Sequence, residues 1–125
     1  MKIGFFLIEN FTMLALASAL EPLRMANQLS GEELYSWTLI GTTTDLVTAS
    51  DGIQISPDKT IADVANYDLV FVVSGINVME SHQPQEIRWL RTLVGRVRVL
   101  GGLCTGSYLL AKAGLLDGYS CSAHW

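Results

Sequence analysis

The sequence predicts an α/β fold built around a parallel β-sheet. Short apolar runs rich in β-branched and aromatic residues alternate along the chain with longer stretches of helical spacing, which is the pattern of βαβ units. The chain has 125 residues, and half of them are hydrophobic, which is enough for a packed core. The sequence contains no internal repeat and no Pro/Ser-rich linker, so we expect one domain over residues 1–125.

The first predicted elements are a strand and a long helix. Residues 2–8 form an apolar run typical of a strand that is buried on both faces. Residues 12–27 have helical spacing, and the threonine at their start is a suitable N-cap. Pro22 lacks the amide that an interior position donates, so we expect a kink or a shift of register there. Glu21 either pairs with Arg24 or turns inward as a pocket wall, and the spacing of three favours the pair.

The remaining elements follow in order along the chain. They are a strand at 35–42, a hairpin at 47–55, a strand at 68–74, a helix at 84–94, a short strand at 98–101 and a helix at 107–113. The hairpin is predicted from Asp51-Gly52, which lies between alternating apolar residues and suits a turn with two positive φ angles. Pro84 fits the first turn of its helix, and Gly114 ends the last one.

The C-terminal end of the sequence predicts an incomplete sheet. The chain reaches Trp125 without a helix that would cover the last strand. We therefore expect a fragment of a longer protein, with a sheet that is incomplete at the C-terminus. Apolar sheet surface left uncovered in this way tends to associate, so we also expect a partner to bury it.

Composition argues against several classes of function. Twelve acidic and eight basic residues give a net charge of -4, which is unsuited to binding phosphate backbones. Cys104 and Cys121, with only two histidines in the chain, form neither a disulfide framework nor a closed metal site, so we expect no metal and no cofactor. The N-terminal apolar run is interrupted by Glu9 and Asn10 before it could span a bilayer. We expect a soluble protein of the cytoplasm that does not contact membranes.

The most specific local feature surrounds Cys104. A strand runs into the pattern Gly-x-Cys-x-Gly, formed with Gly102 and Gly106, and then into a helix. This is the thiol version of a nucleophile elbow, in which the nucleophile lies on a sharp, strained turn and small residues on both sides let strand and helix approach. The alternative is a buried structural cysteine beside glycines that merely pack.

Other residues could complete a site around Cys104. Gly75 follows the strand at 68–74 and could direct backbone amides to the same place, as an oxyanion hole requires, or it could simply form a tight turn. His124 could hold a thiolate or take its proton, or it could be a structural histidine. His82 lies in a polar stretch and is expected to be a solvated loop residue.

Several motifs of this chain occur together in a recognisable order. They are Phe6-Leu7-Ile8 with Phe11, Ala19–Asn27, Leu69–Gly75, Gly102–Gly106, Ala113–Gly118 and His124-Trp125. Over its whole length the chain resembles the N-terminal domain of AraC-type transcription regulators whose sensor half belongs to the class I glutamine amidotransferase-like (PfpI-like) superfamily. The segment Glu21–Asn27 most resembles regulators of quaternary-amine and amino-acid catabolism.

The resemblance implies a flavodoxin-like three-layer αβα sandwich with a ligand site at the C-terminal ends of the strands. It places Cys104 at the nucleophile position of the superfamily and His124 at the position of its usual companion. Gly75 and Thr105 are the further ligand-binding candidates. The resemblance also implies a parent protein that forms homodimers, binds a small-molecule effector and contacts DNA only through a helix-turn-helix domain beyond this chain.

Two departures from the superfamily pattern weaken catalysis more than binding. Catalytic members place an acidic residue in the first helix to hydrogen-bond the cysteine, and the matching position, six before Glu21, is Ala15. Where many relatives have Gly-Gly after the central strand, this chain has Gly75-Ile76. The larger side chain narrows the group of backbone amides that would form the oxyanion hole. We therefore expect a ligand-sensing and dimerisation domain for a small polar metabolite of amine or amino-acid catabolism. The alternative is a cysteine-dependent hydrolase or hydratase that uses Cys104.

Overall fold

Five parallel strands form the central sheet in the computed structural model, which describes residues 1–122. The elements are β1 (Lys2–Leu7), α1 (Met13–Ser30), β2 (Ser36–Gly41), β3 (Val47–Thr48), β4 (Gln54–Ile55), β5 (Lys59–Thr60), β6 (Leu69–Val73), α2 (Val78–Ser81), α3 (Pro84–Thr92), β7 (Val99–Leu103) and α4 (Gly106–Lys112). The main sheet has the strand order β5-β2-β1-β6-β7, and every pair in it is parallel. The predicted α/β fold with a parallel sheet is confirmed.

Two apolar cores cover the opposite faces of this sheet. Successive strand residues point to opposite faces, so each strand contributes to both cores. On one face, Phe6 and Val72 pack in a cluster with Leu90 of α3 and Leu109 of α4. On the other face, Leu16 of α1 packs against the alternate strand residues. The sheet therefore lies between two helical layers, as the predicted three-layer sandwich requires.

Helix α1 continues through Pro22 instead of ending there. Because proline has no amide, the carbonyl of Ser18 lacks its usual donor, but both residues are exposed and water can reach that carbonyl. The helix ends at Gly31, whose φ of 75° is left-handed and whose amide donates to the carbonyl of Asn27 at 3.1 Å. The helix is thus three residues longer than the sequence predicts.

Polar side chains on α1 confirm one prediction and correct another. The Arg24 guanidinium contacts the Glu21 carboxylate at 2.9 Å, which confirms the predicted surface pair. Thr12 precedes the helix as predicted, but its hydroxyl makes no capping hydrogen bond. That hydroxyl points instead towards Cys104, 92 positions along the chain.

Strands β3 and β4 form the predicted antiparallel hairpin, but its turn differs from the prediction. Within the turn, Gly52 has a positive φ of 88° and Asp51 does not. The amide of Ala49 donates to the carbonyl of Ile53, which closes a three-residue loop in place of the expected two-residue turn. The Asp51 carboxylate accepts the Ile53 amide at 3.0 Å, and this local bond stabilises the longer loop.

Two short elements were not predicted from the sequence. Strand β5 has two residues and pairs with the end of β2, and α2 is a single turn. Strand β7 also extends two residues past its predicted end at Gly101, because its glycines have low strand propensity but their backbone pairs with β6. Within residues 1–122, no helix is both long and apolar enough to cross a membrane.

Candidate functional site

Cys104 lies on the turn between β7 and α4 with a φ of 56°. This left-handed conformation costs a residue with a side chain about 1–2 kcal/mol, so the surrounding structure must impose it. The side chain is exposed. The sharp, strained turn predicted for this cysteine is confirmed, and the alternative of a buried structural cysteine is wrong.

The two glycines of the elbow are required by close packing. A Cβ at Gly102 would overlap the backbone amide of Ser107, and a Cβ at Gly106 would overlap the carbonyl oxygen of Val72. Neither glycine has a positive φ, so the constraint at both positions is steric. Strand β7, helix α4 and strand β6 can therefore approach closely enough to force the turn at Cys104.

Three chain segments meet at the elbow that holds Cys104. Oγ1 of Thr12, at the start of α1, lies 3.5 Å from Sγ of Cys104. Oγ1 of Thr105 donates to the carbonyl of Gly75 at 2.6 Å and so ties the β6 loop to the elbow. A Cβ at Gly75 would overlap the carbonyl of Asn10, so the β1 and β6 loops also touch. The candidates Gly75, Cys104 and Thr105 therefore lie together.

Thr12 belongs to this cluster but was not predicted to be a site residue. Its signal in the sequence was its place directly after the β1 loop, where strand ends of a parallel sheet converge. Ala15 follows three positions later in the first turn of α1. Among residues 1–122, the Thr12 hydroxyl is the one group within hydrogen-bond distance of Sγ.

The two histidines have different outcomes. His124, the predicted companion of Cys104, lies outside the described residues. His82 is half-buried: its Nδ1 lies 2.7 Å from the carbonyl of Val78, and its ring packs edge-on against Tyr108. His82 lies in the loop between α2 and α3, as predicted, but it is not fully solvated, because this loop packs against Tyr108 of α4.

A cavity of about 270 Å³ opens at the C-terminal ends of β1 and β2. Its lining includes the carboxylates of Glu9, Asp45 and Glu86 and no basic side chain. Asn10 connects the cavity to the elbow, because its side-chain amide donates to Ser81 in the cavity wall at 2.9 Å while its backbone contacts Gly75. The cavity and the elbow thus share one edge of the sheet.

Glu86 is the most unusual acid of this cavity because it is only 2% exposed. Its Oε1 accepts the backbone amide of Gln83 at 2.7 Å and so caps the start of α3. Burial, with a smaller contribution from the nearby charge of Glu9, raises the pKa of the Glu86 carboxyl to about 7, although hydrogen bonds from Gln83 and Thr42 act in the opposite direction. The group therefore changes its charge near neutral pH.

Comparison with known proteins identifies the family. The model of the DJ-1/PfpI family matches residues 1–125, which is the full sequence. The chain belongs to the DJ-1/PfpI family. A crystal structure of an AraC family transcriptional regulator from Pseudomonas putida superposes on this DJ-1/PfpI chain with a TM-score of 0.84 and 28% identity, covering 98% of this chain and 66% of that one. The predicted PfpI-like, flavodoxin-like sandwich is confirmed.

Curated relatives of this DJ-1/PfpI chain include regulators and one enzyme. The HTH-type transcriptional regulator GbdR of Pseudomonas aeruginosa is 50% identical over 99% of this chain and 34% of its own length. The HTH-type transcriptional regulator CdhR of the same species is 38% identical over 97% of this chain and 36% of its own length. An isonitrile hydratase of Pseudomonas putida is 35% identical over 63% of this chain and 35% of its own length. The chain spans about a third of the length of these relatives.

Proposed function

We propose that this chain is the ligand-sensing and dimerisation domain of an AraC-type transcriptional regulator. The observation that carries the proposal is the 50% identity to an HTH-type regulator along 99% of this chain. Contact with DNA belongs to a helix-turn-helix domain in the part of such a regulator that this chain does not span. The chain itself has a net charge of -4, as expected of a domain that does not bind the phosphate backbone of DNA.

The surroundings of Cys104 support binding rather than turnover. Nucleophilic catalysis by a cysteine uses a thiolate paired with an organised base. At Cys104 the hydrogen-bonding neighbour among the described residues is the neutral hydroxyl of Thr12, and position 15 carries alanine. The exposed thiol and the Thr12 hydroxyl suit the recognition of a polar ligand.

The effector in this proposal is a small polar metabolite with an amino or ammonium group. Its polar end lies at the elbow, against Cys104, Thr105 and the loop at Gly75. Its cationic end enters the adjoining cavity, where Glu9 and Asp45 supply negative charge and no basic side chain competes. A metabolite of amine or amino-acid catabolism fits this combination.

A thermal-shift screen tests the proposal. The chain is heated with quaternary amines, N-methylated amino acids and the common amino acids, each in large excess. A ligand at a hundred times its Kd stabilises the folded state by about 2.7 kcal/mol, which raises the Tm by several degrees. Thr105→Val and Cys104→Ser should weaken the shift, whereas Cys121→Ser, the other exposed cysteine, should not. A screen without any shift would contradict ligand sensing.

The coding sequence gives an independent test of the regulator assignment. The proposal expects a helix-turn-helix domain in the reading frame after residue 125. A frame that closes soon after Trp125 without such a domain would overturn the assignment to a regulator.

Cysteine-dependent hydrolysis or hydration is a second candidate function. It is favoured by the strained, exposed Cys104 and by the similarity to an isonitrile hydratase. In this reaction the thiolate attacks an electrophilic carbon, backbone amides near Gly75 and Thr105 stabilise the developing negative charge, and His124 transfers the proton. Steady turnover of an isonitrile or amide that is lost in Cys104→Ser would favour this function over sensing.

A further inference from the structure

Asn10 lies between the cavity and the elbow and has a strained backbone. Its φ is 67°, a left-handed conformation that is costly for a residue with a side chain, although asparagine accepts it more readily than most. Asn10 belongs to no helix or strand, so regular backbone pairing does not impose this conformation. Contacts with the surrounding loops must therefore hold Asn10 in place.

Asn10 contacts three segments that surround the proposed effector site. Its backbone amide donates to the carbonyl of Thr48 in β3 at 2.8 Å, which attaches it to the hairpin. Its side-chain Nδ2 donates to Oγ of Ser81, the last residue of α2 and part of the cavity wall, at 2.9 Å. Its carbonyl oxygen occupies the space that a Cβ at Gly75 would need. One residue thus joins the hairpin, the cavity wall and the loop after β6.

The contact at Gly75 leads directly to the elbow. Oγ1 of Thr105, the residue after Cys104, donates to the carbonyl of Gly75 at 2.6 Å. Thr12, whose hydroxyl lies 3.5 Å from Sγ of Cys104, is so close to Gly75 that a Cβ there would overlap it as well. A displacement of the Gly75 loop would therefore move both threonines next to the thiol.

Backbone pairing between the segments weakens at this end of the sheet. The amide of Thr12 lies 3.4 Å from the carbonyl of Ser74, and the amide of Ser74 lies 3.5 Å from the carbonyl of Leu103. Both distances exceed the usual range for an N–H···O hydrogen bond, which is about 2.7–3.2 Å. The side-chain bonds of Asn10 and Thr105 are shorter, at 2.9 and 2.6 Å. These side-chain bonds therefore set the position of the loop after β6.

Helix α2 joins the two ends of this loop. Nδ1 of His82 lies 2.7 Å from the carbonyl of Val78 and closes the single turn, and the His82 ring packs edge-on against Tyr108 of α4. Gly75 lies three residues before this turn, and Ser81 is its last residue. Because the turn is closed and anchored on α4, Ser81 and the Gly75 loop move together.

We propose that Asn10 is a positioning residue that couples the cavity to the elbow, because it holds Ser81 and the Gly75 loop in one arrangement that keeps Thr12 beside Cys104. A ligand that displaces the cavity wall would change the surroundings of the thiol by the same route. The proposal rests on the proposed function in that it joins the two parts of the proposed effector site. The coupling itself is a property of the chain without a ligand, so it is tested without one.

The rate at which iodoacetamide alkylates Cys104 tests the coupling. Every chain carries Cys121→Ser, so that a single thiol reacts. Asn10→Gly removes the side-chain amide but keeps a residue that accepts a positive φ, and Ser81→Ala removes the hydroxyl that the amide contacts. Cys104 is already exposed, so access does not limit the reaction. Each change should slow alkylation at least about threefold, because the Thr12 hydroxyl, which can donate to the reactive thiolate, loses its fixed position.

Two further variants separate coupling from a general loss of structure. Ser81→Thr keeps the hydroxyl and should be alkylated at the rate of the unmodified chain. The double variant Asn10→Gly/Ser81→Ala should react no more slowly than the slower single variant, because both changes remove the same link. Urea denaturation establishes that each variant is folded under the conditions of the assay.

Ser30→Ala and Asn66→Gly are the matched controls. Ser30, like Ser81, is the last residue of a helix, and its hydroxyl donates to the carbonyl of Asn27 at the end of α1 that is remote from the elbow. Asn66 lines a cavity at the N-terminal ends of β1 and β2. Neither change should alter the rate of alkylation.

Unchanged alkylation in both Asn10→Gly and Ser81→Ala would overturn the proposal. Slow alkylation in Ser81→Thr, or a double variant whose rate falls by the product of the two single effects, would also overturn it. The thermal-shift screen decides effector binding separately, so a failure of the coupling and a failure of ligand sensing are distinguishable.

Discussion

Two residues near the site adopt states that they would not adopt in water. Cys104 has a left-handed backbone, and Glu86 buries its carboxyl group. Each state persists because fixed neighbours impose it: the packing at Gly102 and Gly106 forces the turn, and the Gln83 amide holds the Glu86 carboxyl at the start of α3. Strained or desolvated groups of this kind cluster at functional sites.

Glu86→Gln should change how stability depends on pH. The pKa of the Glu86 carboxyl is about 7 in the folded chain, whereas its ordinary value in an unfolded chain is 4.5. Folding therefore favours the protonated form. The stabilisation of the folded state by protonated Glu86 is fully present below about pH 4.5 and is lost as the pH rises through 7. Between pH 5 and pH 8, the unfolding free energy of the unmodified chain should fall by about 2–3 kcal/mol relative to Glu86→Gln, which keeps the cap.

Urea denaturation at the two pH values measures this difference, and Glu80→Gln is the control. Glu80 is an exposed acid in α2, so Glu80→Gln makes the same chemical change outside the buried position. An identical pH dependence for Glu86→Gln and the unmodified chain would show that Glu86 is ionised throughout the range, contrary to the prediction.

At the scale of elements, Pro22 destabilises the interior of helix α1. Pro22→Ala restores an amide that can donate to the carbonyl of Ser18 and removes a ring that crowds the preceding turn. We expect the free energy of unfolding to rise by about 1–3 kcal/mol, measured by urea denaturation. Ser18→Ala, on the same face, should change it by less than about 0.5 kcal/mol. A loss of stability in Pro22→Ala would mean that the helix geometry depends on the proline ring.

Element lengths were predicted well where the hydrophobic pattern is long and poorly where it is short. Strands β1 and β6 were predicted to within a residue or two, because each is a continuous apolar run. Strand β5 and helix α2 have two and four residues, too few for a period to appear. These short elements owe their existence to neighbours, since β5 pairs with β2 and α2 precedes the segment that packs on α4.

At the scale of the whole molecule, the negative net charge predicts that this chain does not bind DNA by itself. Eight basic against twelve acidic residues should leave a labelled DNA duplex unbound at micromolar protein and physiological salt. Fluorescence anisotropy measures this, and a longer protein that includes a helix-turn-helix domain is the positive control. Specific binding of the duplex by the chain alone would mean that this domain contacts DNA directly. That result would contradict the proposal that a separate helix-turn-helix domain binds DNA.

Sequence alone determined the α/β class, the βα alternation and the elbow at Cys104, because each follows from local patterns of apolar residues and glycines. The tertiary structure alone decided that Thr12 meets Cys104 across 92 positions and that Glu86 is buried beside Glu9. Those neighbours depend on the strand order β2-β1-β6-β7, which brings distant loops to one edge of the sheet. Local periodicity carries no information about that order, so the partners of the site emerge only when the sheet is assembled.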